Sequence, residues 1–87
     1  MKTVPCEIIT PEKVYLRDEV EFVVAPGFEG ELGILPGHTR LLAQLVPGNV
    51  RIVKGKETRR FAIAAGFIHI EPAAVKIFTP EIKPLSH

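Results

Sequence analysis

Eight prolines and seven glycines interrupt this 87-residue chain at short intervals, and that spacing leaves little room for a helix. Between the breakers lie runs rich in Val, Ile and Phe, each about four to eight residues long, the length of a β-strand. The runs cover residues 4–9, 14–16, 19–24, 41–46, 50–54, 58–65, 67–71 and 75–79. Helical i, i+3, i+4 patterning cannot be sustained between breakers set so close. In residues 19–24, Val20, Phe22 and Val24 alternate with Glu19, Glu21 and Val23, the period-2 pattern of a strand with one wet face. Turns are expected at Thr10-Pro11-Glu12-Lys13, Pro26-Gly27, Pro47-Gly48-Asn49, Gly55-Lys56 and Glu71-Pro72-Ala73-Ala74. The pattern predicts an all-β sandwich or barrel.

The length suits one small domain, residues 1–87, with a core over 4–80 and residues 81–87 as a frayed tail marked by Pro80 and Pro84. With 46% apolar and 24% charged residues, the composition is that of a globular chain. Eleven basic and ten acidic residues give a net charge of +1, too little to hold a polyanion by charge alone. The longest basic stretch, residues 54–60, is interrupted by Gly55, Glu57 and Thr58, and the five Phe and one Tyr sit mostly in strand-like runs and do not read as stacking platforms. Nucleic acid is therefore not expected as a partner. Cys6, the one cysteine, lies in an apolar run and reads as a buried small hydrophobe. The N-terminus lacks a signal-type apolar region, and no apolar run approaches the roughly 20 residues that span a bilayer.

No catalytic constellation stands out. Ser86 is the single serine and sits near the terminus, and His69 and His87 are isolated from any ligand spacing. Glu19 and Glu21 read as a solvated strand face, as do Arg59 and Arg60 beside Phe61. Leu41, Leu42 and Leu45 read as core. The most specific segment is Glu29-Gly30-Glu31-Leu32-Gly33-Ile34-Leu35-Pro36-Gly37-His38-Thr39. Its glycines permit positive φ and close backbone approach, so it can present a flat edge to another chain. It does not match a phosphate loop, because no Lys-Ser/Thr follows Gly33.

From Gly30 to His38, then through Leu41-Leu42 and Pro47-Gly48-Asn49-Val50-Arg51-Ile52, the chain resembles the core signature of ATP synthase epsilon subunits (delta in mitochondrial naming). Thr10-Pro11-Glu12, Phe22-Val23-Val24-Ala25-Pro26-Gly27 and Ala62-Ile63-Ala64-Ala65-Gly66-Phe67 are similar too. The resemblance runs in order over nearly the whole chain.

This resemblance implies a flattened antiparallel β-sandwich of about eight to ten short strands. It implies a non-catalytic subunit of the central stalk, or rotor, of an F-type ATP synthase, coupling ion flow to ATP synthesis. The implied partners are the gamma subunit and the polar loops of the membrane c-ring; the implied place is the cytoplasmic face of the bacterial plasma membrane or its organelle equivalent, reached only through the complex. Neither cofactor nor metal is implied. Carried over residue by residue, c-ring contact falls to Glu29, Gly30, Glu31 and Leu32, and gamma contact to His38, Arg40 and Leu42. Leu32 and Ile34 read equally as interface or core. Basic residues on the c-subunit loops would give Glu31 charge-assisted hydrogen bonds.

The chain departs from the family in places. The two C-terminal helices, which inhibit ATP hydrolysis, and the ATP-binding motif they carry have no counterpart here. The expectation is a naturally short epsilon subunit or a cut piece of a longer one, without the inhibitory latch. Arg40 stands where Pro or a small residue is more frequent, and Ala65 where glycine is, so the backbone there should not need positive φ. The competing readings are a free-standing sandwich that binds a small ligand and a small enzyme; no residue pattern supports the latter.

Overall fold

The computed structural model describes residues 2–37 and 39–85. The strands are β1 (Val4–Ile9), β2 (Val14–Val20), β3 (Phe22–Gly27), β4 (Gly30–Ile34), β5 (Leu41–Leu45), β6 (Gly48–Lys54), β7 (Glu57–Ile63), β8 (Gly66–Glu71), β9 (Ala74–Phe78) and β10 (Ile82–Leu85). They bond in one continuous sheet in the order β10-β7-β6-β3-β5-β8-β9-β1-β2, with β4 on the free edge of β3. The sheet doubles over between β3 and β5, which share only the pair Gly27–Leu45. One layer is then β10-β7-β6-β3-β4 and the other β5-β8-β9-β1-β2. This is the flattened sandwich of about eight to ten strands that the sequence predicts. Its one parallel pairing is β1 with β9, from Cys6–Val75 to Ile9–Phe78.

Alternation explains which side chains fill the space between layers. Val4, Cys6 and Ile8 point inward from β1, Val50 and Ile52 from β6, Phe61 and Ile63 from β7, Ile68 and Ile70 from β8, and Val75 and Ile77 from β9. Strand β3 breaks the alternation. Val23 and Ala25 belong to the core, yet Val24 on the opposite face is also buried, beside Arg51 in the register. Val23, expected on a wet face, is fully buried because the break at Glu21 shifts the alternation, so that Val20 and then Val23 and Ala25 point into the core. The edge-on contact of Tyr15 with Phe61, with centroids 5.9 Å apart, joins β2 to β7 across the sandwich.

The chain changes layer five times, and three of these passages are tight corners. The first is Glu21, whose amide donates to the Val53 carbonyl at 2.9 Å. It ends β2, so the runs read as 14–16 and 19–24 are divided at residue 21 instead. Glu19 and Glu21 do not share a strand face: Glu19 accepts from the Thr3 hydroxyl, and Glu21 from the Gly55 amide. The second corner is Val46-Pro47. Leu45 and Arg51 both pair with β3, so Pro47-Gly48-Asn49 bends the chain without reversing it and is not a hairpin turn. The third is Ala64-Ala65; Ala65 has no positive φ, as its replacement of glycine predicts.

Residues 82–85 correct the expected frayed tail. They form β10, antiparallel to β7, and Ile82 packs against the core. Pro84 is tolerated because β10 is an edge strand with one unpaired side.

Candidate functional site

The glycine-rich segment folds as a hairpin on the outer edge of the sandwich. Pro26 and Gly27, expected as the turn, remain extended in β3; the turn is Phe28-Glu29, flanked by the pair Gly27–Gly30. Neither turn residue has positive φ. The reversal is absorbed by Gly30 at φ 126°, a conformation that strains any residue with a Cβ. A Cβ on Gly27 would lie 2.5 Å from the Gly30 carbonyl oxygen. The two glycines thus make the hairpin end tight enough to lift Phe28 and Glu29 off the surface.

Beside this hairpin runs the start of β5, and the two enclose a groove of about 510 Å³. Its walls include Phe28, Glu29, Glu31, Leu32, Leu41 and Leu42. Phe28 is 66% exposed and Leu42 68%. Leu32 is half-buried, touching the core on one side and lining the groove on the other, while Ile34 lies in the core. Glu29 and Glu31 are exposed and make no ion pair among the described residues. The arrangement is an apolar trough with two free carboxylates at its rim. Such a surface suits a partner that brings both apolar and cationic side chains.

The fold therefore gathers Glu29, Gly30, Glu31, Leu32 and Leu42 into one place. It does not bring in Arg40, whose Nη1 donates to Glu71 Oε2 at 3.0 Å, near the turn between β8 and β9. His38 lies outside the described residues. Leu41 and Leu42, expected in the core, are surface residues, and only Leu45 of that cluster is buried. Leu42 points outward because it shares the parity of Gln44, opposite that of Leu45.

A second apolar surface went unread. Gln44, Phe67, Phe78 and Ile9 stand in one row across β5, β8, β9 and β1 on the face away from the core. Phe67 is 53% and Phe78 40% exposed, and a cleft of about 560 Å³ opens between them and Pro80. The available signal was the alternation: each Phe takes the outward position beside an inward Ile, Ile68 or Ile77. Gln44 lines both this cleft and the groove, so the two surfaces meet at β5.

Cys6 is fully buried between the layers. Burial pushes its thiol up to about 12, with the nearby charges of Glu7 and Asp18 adding to the shift. It is a packing residue and not a nucleophile.

Known proteins resemble this chain along its length. Residues 3–84 match the model for the β-sandwich domain of the ATP synthase delta/epsilon chain. The ATP synthase epsilon chain of Desulforamulus reducens is 41% identical over 76 residues, covering 87% of this chain and 58% of that protein. That of Bordetella avium is 38% identical over 80 residues, covering 91% and 57%. This chain thus spans less than two thirds of these relatives. A chain in the cryo-EM structure of the Euglena gracilis mitochondrial ATP synthase, OSCP/F1/c-ring in rotational state 1, superposes with a TM-score of 0.91 at 26% identity, over 97% of this chain and 54% of that one. A chain from the central stalk and c-ring of the Tetrahymena thermophila mitochondrial ATP synthase shares the fold, with a TM-score of 0.78 at 21% identity over 94% of this chain and 66% of that one. A sandwich with this strand order, matched from end to end in sequence and in shape, belongs to the ATP synthase delta/epsilon β-sandwich domain family.

Proposed function

We propose that this chain is a non-catalytic piece of the central stalk of an F-type ATP synthase, docking at once on the c-ring and on the gamma subunit. The observation that carries the reading is the groove: two free carboxylates, Glu29 and Glu31, with exposed Phe28 on a glycine-tightened hairpin and exposed Leu42 on the neighbouring β5. Glu29, Gly30, Glu31 and Leu32 meet the basic polar loops of the c-ring, where carboxylate–cation hydrogen bonds fix the register. Leu42 and Arg40, with His38 between the hairpin and β5 in sequence, face gamma. The aromatic row of Phe67 and Phe78 extends the gamma surface, since an exposed apolar strip of this kind marks a protein contact. Sharing β5, the two surfaces are fixed relative to each other, which is what transmission of torque from ring to shaft requires. No helix among the described residues is long and apolar enough to cross a membrane; membrane association comes through the c-ring.

The test is co-purification with the cognate gamma subunit and c-ring, comparing the parent with Glu31→Arg. The variant should keep gamma and lose c-ring retention about tenfold or more, because like charges then face each other at the seam. Equal c-ring retention by both would remove Glu31 from the contact, and failure of the parent to bind gamma would remove the stalk assignment.

A further inference from the structure

The outward face of β6, β7 and β10 carries an arrangement that works against the fold. Arg51 and Arg60 stand directly opposite each other in the β6–β7 register. Both point away from the core, since their neighbours Val50, Ile52 and Phe61 point into it. Like charges so placed on adjacent antiparallel strands repel. Lys83 joins them on the same face, opposite Ala62, and Leu85 lies opposite Arg60. None of these three cations forms an ion pair with a described carboxylate; the ion pairs among described residues engage Arg17, Arg40, Lys54 and His69 instead. Elsewhere the sheet sets opposite charges across from one another, as in Glu7 with Arg17 and Lys54 with Glu57. On this face β6, β7 and β10 place no carboxylate at all. Ala62 and Leu85 lie between the cations, and Val53 and Thr58 stand beside Arg51 and Arg60 on the side away from Lys83.

We propose that this face docks an acidic segment of a partner polypeptide, whose carboxylates bridge Arg51 and Arg60 while its apolar side chains cover Ala62 and Leu85. Guanidinium forks match carboxylates two bonds at a time. The cations are spread over three strands of a flat face with apolar residues between them. That layout suits a chain of side-chain carboxylates laid across the strands better than a compact phosphate, which needs donors converging on one point. With a net charge of only +1 the attraction is local to this face. Arg51, Arg60, Lys83, Ala62 and Leu85 line neither the groove nor the aromatic cleft, and the proposal stands without the stalk reading.

The experiment uses the intact chain and a fluorescein-labelled peptide of alternating Glu and Ala, followed by anisotropy at low and moderate salt. The parent should bind saturably and lose affinity as salt rises. Arg60→Glu should weaken binding about tenfold or more. The same variant should raise Tm by about 2–4 °C, because an attractive cross-strand pair with Arg51 replaces a repulsive one. Lys2→Glu, an equal change of charge just ahead of β1 in the other layer, should leave binding as it is. The proposal is overturned if the parent does not bind, if Arg60→Glu binds as the parent does or melts lower, or if Lys2→Glu weakens binding equally. It is also overturned if inorganic phosphate or phosphatidylglycerol vesicles compete better than unlabelled peptide, which would assign the face to a phosphate group.

Discussion

Thr79 is the one buried polar side chain among the described residues, and it shows how one hydroxyl holds a corner. Its oxygen lies 3.0 Å from the Glu81 carbonyl, 3.2 Å from that of Ala64 and 3.5 Å from that of Ala65, while its amide donates to Ile9. The residue therefore ties the β7–β8 corner, the start of β10 and the end of β1 together. Thr79→Val keeps the shape but leaves the carbonyls without their donor, and should cost about 1–2 kcal/mol. A Tm lowered by roughly 5–10 °C in calorimetry is the expected result, and an unchanged Tm would show that the corner does not depend on this donor. Asp18 and Lys54 make the second residue-scale case. A hydrogen bond from Lys54, then one from the Glu19 amide, hold the Asp18 carboxyl below its ordinary 3.8. The same bond with Asp18 raises Lys54 above 10.5. The Asp18 contribution is thus full above pH 3.8 and lost as pH falls through the lower folded value. The Lys54 contribution is full below pH 10.5 and lost as pH climbs through the higher folded value. Asp18→Asn should flatten both limbs of the urea midpoint plotted against pH; limbs as steep as the parent's would assign the slopes to other groups.

At the scale of elements, what the sequence made legible depended on whether the deciding partner was local. Strand β1 is bounded by Pro11 and alternates cleanly, and its predicted range is its observed one. The Gly55-Lys56 and Pro72-Ala73 turns were equally readable, because each reverses the chain between strands adjacent in sequence. Pro26-Gly27 and Pro47-Gly48 misled because their conformation is set by β3 and by the crossing between layers, which no local pattern records. The groove was half legible. Glu29 to Leu32 are contiguous and read as a unit, whereas Leu42 joins them only once β5 is placed, and the row of Phe67 and Phe78 exists only across strands. Strand β10 was missed because Pro84 within it and Pro80 ahead of it suggest fraying, while its support comes from the β7 edge. If that support is real, Ile82→Ala should cost about 1–2 kcal/mol by urea denaturation, in keeping with a half-buried side chain packed on the core. A loss near zero would return residues 82–85 to the role of a loose tail.

Over the whole molecule, one core runs through both layers without a gap: Phe61 and Ile63 from one meet Ile8, Ile68 and Ile77 from the other. A single shared core predicts a single cooperative unfolding transition, with calorimetric and van't Hoff enthalpies equal. Two resolved transitions would mean that the layers melt separately, which would count against the proposed role in transmitting rotation. The same unity explains why few sequence features announced the contacts. The outward faces are by-products of the alternation that builds the core, so a residue proposed as a contact differs from a solvated one only by being apolar, as Phe67 is, or unpaired, as Arg60 and Glu31 are.

The parallel pairing of β1 with β9 has a consequence for birth on the ribosome. Cys6 bonds beside Val75, so β1 waits for β9, with seven other strands made between them. At synthesis rates of about 5–20 residues per second, β1 and β2 spend on the order of ten seconds as a lone hairpin with one open apolar edge. During that interval β1 lacks the strand that will pair with its second edge, so this hairpin offers a chaperone, or a neighbouring nascent copy, an open strand edge.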